Sequence, residues 1–295
     1  MSNTWHILGP GAIGSLFACH LQQAGFQVYL IGRKPETREQ HIELREPAAI
    51  RHFSFPPTTP EQPVKQLLIT VKAHQTAAAL QTIQHRLSSD TIMVLMQNGM
   101  GAWQALQAEQ PDSHIVLATT TEGANRPAPG VVVHAGQGDT FVGSLGPEGQ
   151  QAAATVRQAW SATQLSVNED PHILPRLWQK LAINCAINPL TALYDCPNGA
   201  LLDNPAALEQ MQQVCDEVEQ VMGLALDQQT SGLFELAKTI AAKTANNISS
   251  MLQDVRKQQP TEIDHITGYL LSKAQRQGVE CPRNEWLFKQ VKSMY

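Results

Sequence analysis

In the first half of the chain, short continuous apolar runs alternate with segments whose apolar residues recur every three or four positions, the pattern of buried strands joined by helices. Thr4–Leu8 reads as a strand that runs into Gly9-Pro10-Gly11-Ala12-Ile13-Gly14. A helical pattern follows through Ile13, Leu16, Phe17, His20 and Leu21, stops at Gly25, and gives way to a strand over Gln27–Ile31. Pro56, Pro57, Pro60 and Pro63 mark a connecting loop, after which the rhythm resumes with a strand at 66–71, a helix at 73–87 and a strand at 91–96. A strand at 115–118 extends into 119–124, and 130–135 with 140–145 predict a hairpin closing the sheet. A helix at 151–163 and the polar passage Asn168-Glu169-Asp170-Pro171 end this half.

Beyond it the periodicity is helical. The stretch 175–193 is apolar almost all round, and between Leu181 and Leu193 its only polar side chains are Asn184, Asn188 and Thr191. A helix with that pattern is buried on most sides. Segment 240–257 predicts another helix, Thr261 reads as the cap of a third with Glu262 in its first turn, and the last helical stretch lies near 285–292. The expected fold is therefore α/β: an N-terminal Rossmann-type doubly wound sheet over 1–170 and an all-helical C-terminal domain over 171–295.

Composition narrows the function classes. The 295 residues carry Lys+Arg 21 against Asp+Glu 26, a formal charge of −5, which argues against a nucleic-acid binder. No apolar run approaches the ~20 residues that a membrane span needs. The first residues show no basic segment followed by an apolar stretch and a cleavage site, so the expected location is the cytoplasm. Cys19, Cys185, Cys196, Cys215 and Cys281 form an odd set without C-x-x-C spacing, which predicts reduced packing residues and no metal site.

The glycine pattern sits between a strand and a helix, the setting in which it marks a dinucleotide site. Gly9 suits the tight turn, Gly11 lets backbone approach a pyrophosphate, and Gly14 lets helix and strand pack closely. An NAD-binding fold normally carries an acid about 20 residues on, at the end of the second strand. Here that strand ends Ile31-Gly32-Arg33-Lys34 and the first acid, Glu36, lies beyond Pro35. Positive charge at this point favours a ribose 2′-phosphate, hence NADP, over a free hydroxyl. The alternative is a solvated Arg-Lys pair. Lys72 and Asn98 follow the strands at 66–71 and 91–96, where ligands of doubly wound sheets lie, although each alone also reads as an ordinary turn residue.

Lys180, Asn184 and Asn188 are spaced by four and drift only ~40° per step, forming one row along a helix face. Burial lowers a lysine's pKa towards neutrality, where it can act as a general acid. The same row could instead hydrogen-bond a neighbouring helix, or the lysine could reach solvent; periodicity does not choose between them.

The whole chain resembles the ketopantoate reductase (2-dehydropantoate 2-reductase) family. The resemblance rests on the glycine block, Gln97-Asn98-Gly99-Met100-Gly101, the run from Leu177 to Asn184, Asn188-Pro189-Leu190-Thr191-Ala192, Cys196-Pro197-Asn198-Gly199 and the run from Asn247 to Asp254. It implies NADPH-dependent reduction of ketopantoate to (R)-pantoate in pantothenate synthesis, with the site in a cleft between a Rossmann and a helical domain. By resemblance Lys180 is the catalytic acid, and Asn98, Asn184, Asn188, Asn198, Asn247 and Ser250 match substrate positions. Gly9, Pro10, Gly11, Ala12, Ile13, Gly14, Arg33, Lys72, Asn98, Ala124 and Glu262 match positions at or beside the cofactor. Glu122-Gly123 departs from close relatives, and 38–60 shows little that matches. The competing readings are a reductase of another branched 2-oxo acid and a non-catalytic NADPH sensor; the sequence leaves monomer or dimer open.

Overall fold

The computed structural model describes residues 3–33, 37–109 and 113–295. Lys34 and Glu36, which enter the reading of the second strand's end, lie outside these. The chain divides into two compact units, one of Met1–Gln97 with Ala102–Leu174 and one of Asn98–Gly101 with Pro175–Tyr295.

The first unit is built on a seven-stranded sheet. Its parallel strands are β1 (Thr4–Leu8), β2 (Gln27–Ile31), β5 (Gln66–Ile69), β6 (Ile92–Leu95) and β7 (His114–Thr120). β10 (Asp139–Gly143) joins β7 antiparallel, and β11 (Ser166–Glu169) joins β10 in parallel. The order β11-β10-β7-β6-β5-β1-β2 reverses direction of winding at β1, which pairs with β2 on one side and β5 on the other. That is the switch point outside which Rossmann-type sheets bind ligands. Connecting helices are α1 (Ala12–Gln23), α2 (Thr76–Gln81), α3 (Ala102–Glu109) and α4 (Pro147–Trp160). Trp160 of α4 closes the core, its ring 5.6 Å from Trp5 of β1 and 4.9 Å from Phe17 of α1. Such aromatic clusters bury large areas and set element spacing.

A second sheet, of order β4-β3-β9-β8, departs from the sequence expectation. β3 (Gln40–Glu46) and β4 (Ala49–Phe55) form a hairpin in the region that matched little, and β3 pairs in parallel with β9 (Val131–Gly136). β9 turns back from β8 (Gly123–Ala128) through Gly130, whose φ is +72°. The expected hairpin of 130–135 with 140–145 is thus not formed: β9 and β10 belong to different sheets. Alternation told that both were strands, but their partners are distant in sequence. Likewise the polar passage ending the first half begins inside β11, whose edge position tolerates exposed polar residues. The helix expected at 73–87 is broken into two 3₁₀ turns flanking α2.

The helices of the second unit are α5 (Ile173–Tyr194), α6 (Pro205–Leu226), α7 (Leu233–Lys243), α8 (Ser250–Arg256), α9 (Thr267–Gln277) and α10 (Pro282–Lys292). α5 begins two residues before the division between the units. α6 opens with the side chain of Asn204 accepting from the N–H groups of Ala206 and Ala207 and with Pro205 at its first position, the arrangement that offsets unpaired N-terminal donors. Two helix expectations are corrected here. The segment 240–257 is not one helix: α7 ends at Lys243, and Ser249 caps a new helix by accepting from Leu252 N. Serine and asparagine compete locally for backbone groups, which is why Asn246, Asn247 and Ser249 interrupt the pattern. Thr261 does not start a helix either; its hydroxyl accepts from Ile263 N in a turn, and α9 begins only at Thr267. Among the described residues no helix is long and apolar enough to cross a membrane.

Candidate functional site

In the first unit the glycine turn leaves β1 with Gly9 at φ +86°. A Cβ on Gly9 would lie 2.8 Å from Val71 N, and one on Gly14 would lie 2.7 Å from Gly9 O, so both positions are confined by backbone. A Cβ on Gly11 would meet only Gly9 O at 3.9 Å, leaving open space beside the loop. Gly11 precedes α1 without a side-chain cap, and the helix has no acidic residue in its first turn. Pro10 lends its carbonyl to Ser15 Oγ and to Arg126, which keeps the turn in shape. The first N–H groups of a helix, here those of Ala12, Ile13 and Gly14, have no intrahelical partner, so an uncapped, uncrowded N-terminus of this kind accepts a pyrophosphate.

The other first-unit candidates follow strand ends. Arg33 is exposed just beyond β2 and Lys72 is half-buried just beyond β5. Gln97, after β6, ties this edge together by donating to Val71 O at 2.9 Å and to Thr76 Oγ1. Ala124 lies on β8, paired with His134 of β9, and so belongs to the second sheet rather than to a continuation of β7.

The second unit brings together the rest. Lys180, Asn184 and Asn188 run along α5, the first two half-buried and Asn188 buried. Packing pulls the Lys180 ammonium down from its ordinary 10.5 to about 8; desolvation lowers it and the negative charge of Glu262 opposes the fall. Glu262 is 8% exposed and accepts from Asn98 Nδ2 at 3.3 Å. Asn98 reaches it because Met100 N donates to His265 O at 2.8 Å, and because Gly99, at φ +81°, is pressed so closely on His265 that a Cβ would lie 2.4 Å from that carbonyl. Glu262 therefore acts from a turn held by Thr261 and His265, not from a helix N-terminus.

Farther along, Pro189 interrupts the α5 ladder, and Asn188 O is taken by the hydroxyl of Thr191, which also meets Ser249 Oγ at 2.7 Å. Asn198 is buried; it donates through its side chain to Thr244 at 2.9 Å and through its backbone to Asn247 O at 3.0 Å, while its Oδ1 is buried with no protein partner. An orphaned acceptor of this kind is costly unless a ligand donor completes it. Asn247 and Ser250 are exposed at the break between α7 and α8. The sequence reading missed Thr244 and Ser249, which position Asn198 and α5 respectively; the cluster of Thr, Asn and Ser at 244–250 was the available signal, concealed by treating it as helix interior.

Comparison with known proteins shows the family. The family model described as "Ketopantoate reductase PanE/ApbA" matches residues 5–147, and "Ketopantoate reductase PanE/ApbA C terminal" matches residues 172–295. The chain is similar to the 2-dehydropantoate 2-reductase of Vibrio cholerae, 38% identical over 290 residues, with 98% of this chain and 96% of that protein covered. In fold it is similar to a PanE/ApbA family ketopantoate reductase from Ralstonia eutropha JMP134, with a TM-score of 0.88 at 23% identity over 99% of this chain and 98% of that one. It is also similar in fold to D-mandelate dehydrogenase in a ternary structure with NADH and anilino(oxo)acetate, with a TM-score of 0.91 at 23% identity over the same shares, 99% and 98%. The glycine turn, the lysine-asparagine row and these matches across both units converge: the chain belongs to the ketopantoate reductase family of oxidoreductases.

Proposed function

We propose that the protein reduces 2-dehydropantoate to (R)-pantoate with NADPH. The observation that carries this reading is the Lys180 ammonium, brought to about 8 beside the field of Glu262 on the helix that also presents Asn184 and Asn188. Bound NADPH supplies a hydride to the C2 carbonyl carbon. Lys180 then matters most in the transition state: negative charge grows on the carbonyl oxygen, so a nearby cation gains more there than with the neutral ketone. At neutral pH the lysine is mainly protonated, and a pKa near 8 lets it give up that proton and recover it from water.

Asn184, Asn188 and Ser250 offer neutral donors for the substrate carboxylate, so no second fixed charge competes with the lysine. Asn198 Oδ1, buried and without a protein donor, suits the substrate's hydroxyl, with Asn247 and Asn98 completing the polar lining. On the cofactor side Gly9, Pro10, Gly11, Ala12, Ile13 and Gly14 would hold the pyrophosphate, and Lys72, Ala124, Asn98 and Glu262 match family positions at or beside the cofactor. Arg33, exposed beyond β2 where a free ribose would call for an acid, takes the 2′-phosphate. Replacement Arg33→Ala is expected to raise the KM for NADPH by about 10- to 100-fold and leave that for NADH nearly unchanged; an equal effect on both coenzymes would remove the phosphate role.

Glu262 has a role that a pH profile reads directly. Its charge raises the Lys180 pKa, so Glu262→Gln lowers it below about 8. A general acid works in its protonated form, so the alkaline limb of kcat/KM moves to lower pH. A profile that keeps its alkaline limb in place would show that Glu262 serves only the ribose or the local fold. The overall reading is tested by NADPH oxidation with ketopantoate against other 2-oxo acids: ketopantoate should have the highest kcat/KM, and a preference for another acid would reassign the substrate.

A further inference from the structure

The first unit contains a cluster of ligating side chains that the reductase reading does not use. His20 lies in the second half of α1, Glu46 at the end of β3 and His134 on β9. One ligand atom from each falls within 4.8 Å of the others. His20 Nε2 and His134 Nδ1 each lie 3.8 Å from the same oxygen, Glu46 Oε1, too far for a hydrogen bond. His20 is 2% exposed and neither of its ring nitrogens has a hydrogen-bond partner.

The surroundings orient the cluster. His134 Nε2 meets Glu122 Oε2 at 2.6 Å, with Glu122 itself buried. A ring that donates from Nε2 to a carboxylate presents its Nδ1 lone pair on the other side, here towards Glu46. Two acceptors then face each other across a gap, an arrangement that a cation between them would relieve. Carboxylate–histidine pairing of this kind is also how metal-bound imidazoles are held in orientation. Arg51 pairs with the other oxygen of Glu46 at 3.3 Å, so Glu46, Glu122 and Arg51 together carry one net negative charge. Burial pushes His20 down to about 4, which keeps it in the neutral form that ligates metals.

We propose that His20, Glu46 and His134 bind one divalent transition-metal ion of the zinc class, with Glu122 as the orienting carboxylate on His134. Two imidazoles and a carboxylate are a zinc donor set, and donors around a tetrahedral ion at ~2.1 Å stand roughly 3.4 Å apart. The three side chains need close by about 0.4 Å to at most about 1.4 Å to reach that spacing. Glu46 is 14% exposed, which leaves a path for the ion and for a water as fourth ligand. Occupancy would cross-link α1 to both β3 and β9. No local motif announces this site, since its three residues are 26 and 88 positions apart.

The test is titration of the chelator-treated full-length protein with Co²⁺ alone, followed by absorption, and with Zn²⁺ alone, followed by calorimetry. The expected result is one equivalent of each, the visible band of a low-coordinate cobalt site, and a Tm several degrees higher with metal. His20→Leu, which loses no hydrogen bond, is expected to keep the wild-type circular dichroism and lose the stoichiometric uptake, with affinity down at least 100-fold. Glu46→Gln provides the same comparison should the leucine variant fail to fold. Absence of stoichiometric binding to the wild type would overturn the site, as would uptake that survives both substitutions.

Discussion

On the proposed function, Lys180→Met is expected to lower kcat with ketopantoate by roughly 10²- to 10⁴-fold while NADPH binding is kept, because that reading makes Lys180 both the proton donor and the charge that meets the developing alkoxide. The same change is expected to raise thermal stability. Folding lowers the lysine's pKa from 10.5 to about 8, so below pH 8 the folded state carries the full cost of a desolvated ammonium. That cost fades as the pH rises from 8 to 10.5 and is gone above it. Methionine keeps the length of the side chain without the charge, so its gain in Tm is expected to be largest at neutral pH and to vanish in strong alkali. Turnover and melting curves across pH measure both. Retained turnover would end the general-acid assignment, and a lower Tm at neutral pH would mean that the ammonium stabilises the helix it sits on.

Gly9→Ala is the second large effect. At φ +86° an alanine costs about 1–2 kcal/mol from backbone conformation alone. Its Cβ would also lie 2.8 Å from Val71 N, backbone two residues past the neighbouring strand β5 that cannot rotate aside as a side chain would. Together these are expected to destabilise the unit by roughly 3 kcal/mol or more, read by denaturant unfolding, and to abolish NADPH binding. Gly11→Ala makes the informative contrast. Its φ is −72° and its Cβ would touch only Gly9 O at 3.9 Å, so the fold should stand unchanged while the new methyl group occupies the space that the proposed function assigns to the pyrophosphate. Calorimetry should show wild-type stability with much weaker NADPH affinity; wild-type affinity in this variant would mean that the turn is not the phosphate bed.

These contrasts show where local pattern sufficed and where it did not. β1, β5 and β6 were legible because parallel strands inside a sheet read as short, mostly apolar runs ending near glycine or polar residues, and β2 because of its strand-forming Val28, Tyr29 and Ile31. The row on α5 was legible because three polar side chains stand out against an apolar helix. The second sheet was not. In β3 only Ile42 and Leu44 are buried among charged neighbours, and its partner β9 lies far along the chain. Nor could periodicity find the break before α8, since Ile248, Met251 and Leu252 keep a helical rhythm although α7 has already ended at Lys243 and Ser249 caps a new helix. The field of Glu262 on Lys180 also depends on a pairing across 82 positions, which no local signal carries.

Residues 98–101 fall between β6 and α3 yet pack as part of the second unit. No single cut in the gene can therefore separate the halves cleanly. A polypeptide starting at residue 175 would lack the amide that donates to Glu262 and the N–H that holds His265, and would leave the carboxylate opposing Lys180's desolvation less firmly placed. Reassembly from two pieces would have to return that four-residue strap from the N-terminal piece, which makes complementation between fragments, rather than independent folding of the C-terminal one, the natural behaviour of this chain.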